Sequence, residues 1–109
     1  MKQISIGEFE ELVLLMVAAL NGEAYGVNVQ EGLEGESGKN VTLSAVHVAL
    51  KRIEDKGLAK SRFGGITEER GGRRKKYYTI TALGMRTLNS QYELRNRLYN
   101  MIPKISLGR

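Results

Sequence analysis

The sequence predicts a mainly α-helical fold that carries one small β-hairpin. Three observations lead there. Apolar residues recur at spacings of three and four in four separate stretches. Residues 58–80 break that rhythm with the β-forming run Tyr77-Tyr78-Thr79-Ile80 and the glycines Gly64, Gly65, Gly71 and Gly72. The excess positive charge of the chain falls in this same segment. With 109 residues there is room for one folding unit and a modest core.

The first helix is expected over residues 6–21. Phe9, Leu12, Val13, Met16, Val17 and Leu20 repeat at helical spacing, and Leu14, Leu15, Ala18 and Ala19 make the remaining circumference apolar. Glu8, Glu10 and Glu11 stand in its first turns, where negative charge suits the helix dipole. The nine apolar residues from Leu12 to Leu20 are too few to span a bilayer. A helix apolar on nearly all sides needs more cover than one small core offers, and a second subunit is the natural source. A second helix is expected over residues 24–36, with Tyr25, Val29 and Leu33 inward and Gly26, Gly32 and Gly35 weakening it. Thr42 is an N-cap for a third helix ending at Lys56-Gly57. Its buried stripe reads Leu43, Val46, Leu50 and Ile53; its outer face reads Ser44, His47, Val48, Lys51 and Asp55, bordered by Arg52.

Two strands follow, at residues 58–63 and 75–80, joined by a connection longer than a tight turn. Thr81 caps a fourth helix reaching about residue 102, where Pro103 ends it. At about 1.5 Å per residue that helix is roughly 30 Å long, too long to pack wholly on this core. Met85, Leu88, Tyr92, Tyr99 and Ile102 form one apolar stripe, and Leu94, Leu98 and Met101 a second, again pointing to a dimer. A helix followed at once by a glycine-tipped basic hairpin is the layout of a winged helix-turn-helix DNA reader. Residues 1–80 would form that reader, and residues 81–109 a long C-terminal dimerisation helix with its tail.

Charge distribution supports a polyanionic partner. The formal net charge is +5. Residues 60–76 hold Lys60, Arg62, Arg70, Arg73, Arg74, Lys75 and Lys76 against Glu68 and Glu69, and the rest of the chain balances. Residues 1–36 hold one lysine and seven glutamates. Short polar side chains at the start of the third helix, followed by cations, suit base edges and then phosphates. The basic wing could also bind an acidic protein partner, which makes a winged-helix protein-interaction module the alternative; the charged outer face of the third helix combined with the wing favours DNA. The chain has no cysteine and one histidine, which disfavours disulfide and metal sites and fits a reducing cytoplasm. No signal-peptide pattern opens the sequence. No cofactor is expected.

Several stretches, in order, resemble the PadR family of bacterial transcriptional regulators. They are Gly-Glu-Phe-Glu-Glu-Leu-Val-Leu-Leu from Gly7, Ala-Tyr-Gly from Ala24, Ser-Ala-Val from Ser44, Leu-Lys-Arg-Ile-Glu-Asp-Lys-Gly-Leu from Leu50, and Glu-Arg-Gly-Gly-Arg-Arg-Lys-Lys-Tyr-Tyr-Thr-Ile-Thr from Glu69. The resemblance implies a homodimeric repressor of the small subgroup with a single C-terminal helix, binding double-stranded DNA and responding to a small aromatic effector. It also implies that Tyr25 reaches the DNA backbone and that aromatic residues at the dimer interface sandwich flat ligands. His47 stands where the family usually has a DNA-touching tyrosine, and Ala82 where it often has proline.

His47 has three readings: a DNA contact, a catalytic base, or an ordinary exposed side chain. No serine, cysteine or paired carboxylate stands out as its catalytic partner, so an enzyme is not expected. Ser44 either bonds a phosphate at the helix N-terminus or supports the cap. Tyr25 either reaches DNA or packs in the core. The expected DNA-contacting set is Tyr25, Thr42, Ser44, His47, Val48, Lys51, Arg52, Arg70, Arg73, Arg74, Lys75 and Lys76. The expected dimer-interface or ligand set is Phe9, Leu12, Met16, Leu88, Tyr92, Arg95 and Tyr99, with core or subunit contacts favoured over a ligand box.

Overall fold

A computed structural model describes residues 6–66 and 74–104. The element order is α1 (Glu8–Ala19), α2 (Gly26–Ser37), α3 (Leu43–Asp55), β1 (Ala59–Ile66), β2 (Arg74–Ile80) and α4 (Ala82–Asn100). The strands pair antiparallel, Ala59 opposite Ile80 and Phe63 opposite Lys76. This is the expected mainly helical fold with a hairpin, and the long C-terminal helix is present.

The helices form where the sequence supplies caps. The Thr42 hydroxyl accepts from Ala45 N at 3.1 Å, and the Thr81 hydroxyl accepts from Gly84 N at 3.0 Å. Gly57 ends the α3 turn with φ +79°, the left-handed region open to glycine. α2 begins two residues later than its apolar spacing suggests. The reason is that the Ala24 carbonyl accepts from Tyr78 N at 2.8 Å, which ties this residue to the hairpin as an isolated bridge. Asn28 then secures the helix start, its Oδ1 accepting from Tyr25 N at 2.8 Å. β1 also runs further than expected, through Gly64-Gly65, where the pairing register shifts between Phe63 and Ile66.

The core lies where α1, α2, α3 and the base of the hairpin meet. Val13, Leu14, Val17, Val29, Val46, Leu50, Ile53 and Leu58 are fully buried. Two expected stripes are rotated. In α1, Leu14 is buried while Leu12 faces out at 44% exposure. In α3, Ala49 joins Val46, Leu50 and Ile53 in the core, and Leu43 is only half-buried. The short Ala49 side chain lies on the inward arc between Val46 and Ile53. Leu88, expected at the subunit interface, is taken up by the protomer's own core. The first turns of α4 lie on the hairpin base, so close that a Cβ on Gly84 would collide with the Leu58 carbonyl oxygen. Beyond Leu88 the helix is almost wholly exposed.

Candidate nucleic-acid interface

The outer face of α3 develops as its 3.6-residue period requires once Val46, Ala49, Leu50 and Ile53 are inward. His47, Val48, Lys51, Arg52 and Asp55 line one shallow hollow on that face. Ser44 is exposed near its start, its hydroxyl 3.5 Å from that of the Thr42 cap. Val48 is 52% exposed. These residues, separated in sequence, therefore form one surface.

A second cleft, of about 170 Å³, adjoins it, lined by Tyr25, Gly26 and Val27 of the α2 start, His47 of α3, and Lys75, Lys76 and Tyr78 of β2. His47 belongs to both hollows. Its ring lies over Gly26, where an added Cβ would come within 2.5 Å of the imidazole Cε1. The Ala-Tyr-Gly stretch thus seats the histidine. Tyr25 is half-buried; the Lys75 ammonium stands 4.3 Å from its ring centroid, and the Tyr77 ring meets it edge-on at 5.7 Å. Burial raises the Tyr78 phenol above its ordinary pKa, so it stays neutral in this basic setting.

Strand alternation divides the return-strand cations. Arg74 and Lys76 share the face that holds buried Tyr78, and Lys75 and Tyr77 take the other. Arg74 and Lys76 each stand 5.9 Å from the ring centroid of Phe63, which is 60% exposed. Arg62 stacks over Tyr77 at 5.0 Å. Arg70 and Arg73 lie outside the described residues.

Carboxylates accompany several of these cations; the Lys51–Asp55 pair follows from helical spacing, whereas those made by Glu10 and Glu54 do not. Lys51 pairs with Asp55 at 3.4 Å and Arg52 with Glu10 at 3.6 Å. Lys76 pairs with Glu54 at 3.7 Å. Glu10 is mostly buried and is held by Lys56 at 2.7 Å; this bond holds its carboxyl below the ordinary carboxylate value, against the opposing effect of burial. The only available signal for Glu10 was its place one turn before Val13 and Leu14, on the inward side of α1.

The expected interface set separates as well. Leu12, Tyr92 and Tyr99 are exposed, at 44%, 68% and 71%. Phe9 and Met16 are half-buried against the core, with Met16 packed on Gly32 of α2. Arg95 reaches back from α4 to Glu11 of α1 at 3.2 Å. Among the described residues no His, Cys, Asp and Glu group could hold a metal ion, and no helix is long and apolar enough to cross a membrane.

A winged helix-turn-helix with a basic return strand beside its outward helix defines a class of DNA-binding transcription regulators. The family model described as the transcriptional regulator PadR-like family matches residues 14–90, and the chain belongs to that family. Its members are transcription regulators, not enzymes. The fold is similar to a PadR family transcription regulator from Clostridium difficile R20291, with TM-score 0.68, 24% identity, and 86% of this chain and 93% of that one covered. A PadR family transcriptional regulator from Eggerthella lenta DSM 2243 gives TM-score 0.67 and 25% identity, with 85% and 80% covered. A Streptococcus transcriptional regulator gives TM-score 0.68 and 16% identity, with 84% and 85% covered. No curated protein matches the chain.

Proposed function

We propose that this regulator is a homodimeric, sequence-specific repressor that binds a near-palindromic operator. The observation that carries this reading is the convergence on His47 of the α3 outer face, the α2 start and the basic return strand. The start of α3 presents Ser44, His47 and Val48 to base edges. Lys51, Arg52, Lys75 and Lys76 flank it as phosphate ligands, joined by Arg70, Arg73 and Arg74 of the wing, and the start of α2 with Tyr25 approaches the backbone.

Two readers would address successive major grooves about 34 Å apart. The exposed apolar surface of α4, with Leu94, Leu98, Tyr92 and Tyr99, supports pairing with a second copy. A small aromatic effector inserted between the exposed tyrosines would change the spacing of the readers and release the operator.

Titration of a duplex selected from a random pool, at several salt concentrations, tests the proposal. With roughly six to ten phosphate contacts, affinity falls about 10³- to 10⁵-fold between about 50 and 200 mM salt. A flat salt response, or equal affinity for the selected and a scrambled duplex, is incompatible with it. An acidic protein captured stably by a chain without duplex affinity would replace it with the interaction-module reading.

A further inference from the structure

Glu54 stands on α3 but serves the hairpin. Its Oε2 accepts from the Ser61 hydroxyl of β1 at 2.6 Å. Its Oε1 lies 3.7 Å from the Lys76 ammonium of β2. One carboxylate on the reader helix therefore engages both strands of the wing. Ser61 and Lys76 are near each other because Ser61 pairs with Tyr78 and Phe63 with Lys76, which puts them on one face of the sheet.

The two contacts are unequal. The Ser61 bond is short, and the carboxylate is about two-thirds buried, with 32% side-chain exposure. The Lys76 contact is beyond hydrogen-bond length, and that side chain is 44% exposed. Glu54 is thus a fixed anion, and Lys76 is a half-exposed cation beside it, 5.9 Å from the Phe63 ring centroid and 5.7 Å from that of Tyr78, that also lines the cleft shared with His47 and Lys75. Lys51 and Asp55 differ, since both are exposed and one turn apart on a single helix.

We infer that Glu54 is a specificity-determining positioning residue: it holds Lys76 against the reader helix and withholds that charge from phosphates of non-cognate DNA. The inference rests on the DNA-binding reading above. Its physical basis is that non-specific affinity depends on the number of phosphates neutralised, irrespective of base contacts. A fixed carboxylate beside a wing lysine subtracts from that sequence-independent contribution. Docking of α3 on the right sequence brings a phosphate close enough to compete for Lys76, whereas a loosely held backbone does not. The carboxylate remains in place through Ser61, so the wing keeps its pose when Lys76 turns to DNA.

The test is a two-residue cycle in the full chain, Glu54→Gln, Lys76→Gln and both together. Binding to a duplex selected by the parent and to a scrambled duplex is measured across about 50 to 200 mM salt. The glutamine at 54 keeps an acceptor for Ser61 and removes only the charge. On the scrambled duplex, E54Q should tighten binding roughly three- to tenfold at about 0.1 M salt and steepen the salt slope by about 0.9 per bound protomer. The ratio of selected to scrambled affinity should fall accordingly. In the Lys76→Gln background the same Glu54 change should have no effect. A helix that had merely lost stability would lower the active fraction and leave the slope alone. Should E54Q melt near the assay temperature, K76Q alone decides. In the parent background it should flatten the scrambled-duplex slope by well under 0.9, because the charge is already withheld. An unchanged slope in E54Q, a Glu54 effect that persists without Lys76, or a full loss of about 0.9 on K76Q overturns the inference. A parent that binds no duplex overturns the DNA reading itself, and this inference with it.

Discussion

The Glu10 carboxylate, in the first turn of α1, lies 2.7 Å from the Lys56 ammonium at the end of α3. Arg52 adds a second, looser contact to the other oxygen at 3.6 Å. Next along α1, Glu11 pairs with Arg95 of α4. Adjacent glutamates thus join one helix to the reader on one side and to the C-terminal helix on the other. The two links place α1 between α3, the proposed DNA-facing helix, and α4, whose far end is exposed.

Glu10 also gives the fold a pH dependence whose sign follows from its partner. Its folded pKa lies below the ordinary value, chiefly through the Lys56 bond. The stabilisation is present above the unfolded carboxyl pKa, about 4.3, and is lost as pH falls through the folded value. Glu10→Gln should cost about 1–3 kcal/mol near neutral pH, since it removes the charge of a mostly buried carboxylate bonded to Lys56. Melts of parent and variant should converge as pH falls below about 4. A gap in melting temperature that is constant down to acid pH would show that the pair contributes no pH-linked stability.

Gly26 is predicted to act through His47. An alanine there suits the first turn of α2 by propensity, yet its Cβ needs the space that the imidazole fills. Gly26→Ala should keep the fold and reduce discrimination between selected and scrambled duplexes by about 1–3 kcal/mol, the value of one good base contact. Gly26→Ala combined with His47→Ala should be no worse than His47→Ala alone. An added loss in the double variant would mean that the glycine serves the backbone or the DNA directly.

Much of this architecture was legible in the residues. Thr42 and Thr81 announced helix starts through their capping chemistry, and Tyr77-Tyr78-Thr79-Ile80 announced a strand. What stayed hidden was set by tertiary contacts. The use of the Ala24 carbonyl by Tyr78 delays α2, and no local pattern encodes it. The outer-face residues of α3 could be read from helical period because a buried stripe fixes the opposite side. The carboxylates beside Arg52 and Lys76 could not, since Glu10 reaches Arg52 from another helix and Glu54 reaches from α3 across to β2.

Gly84 offers a test of packing that runs against helix propensity. Replacing a helical glycine by alanine ordinarily stabilises by about 1 kcal/mol. Here the new Cβ would collide with the Leu58 carbonyl and lie 2.7 Å from Ile80 Cγ1. The carbonyl is backbone and also accepts from Thr81 N at 3.0 Å, so it cannot move aside without loss. Gly84→Ala should therefore destabilise by about 1–3 kcal/mol, lowering the melting temperature by about 4–8 °C for each kcal/mol. A variant that melts at or above the parent would show that α4 is not seated against the hairpin base at this point.

The far half of α4 carries the prediction about assembly. Tyr92, Leu94, Leu98 and Tyr99 of α4, with Met101 and Ile102 just past its end, are between 43% and 74% exposed, and in a lone protomer they place a band of apolar surface in water. If a second copy covers this band, Leu98→Glu buries a charge in that interface and should halve the mass seen by sedimentation. The side chain is 54% exposed in the protomer, so helical content of the separated chains should persist. Without linkage of two readers, affinity for a two-half-site duplex should fall by about 10²- to 10⁴-fold, with a single half-site duplex little affected. Equal losses on both duplexes would mean that the substitution disturbs the reader itself. An unchanged mass would remove this face of α4 from the subunit contact and, with it, the spacing that a paired reader needs.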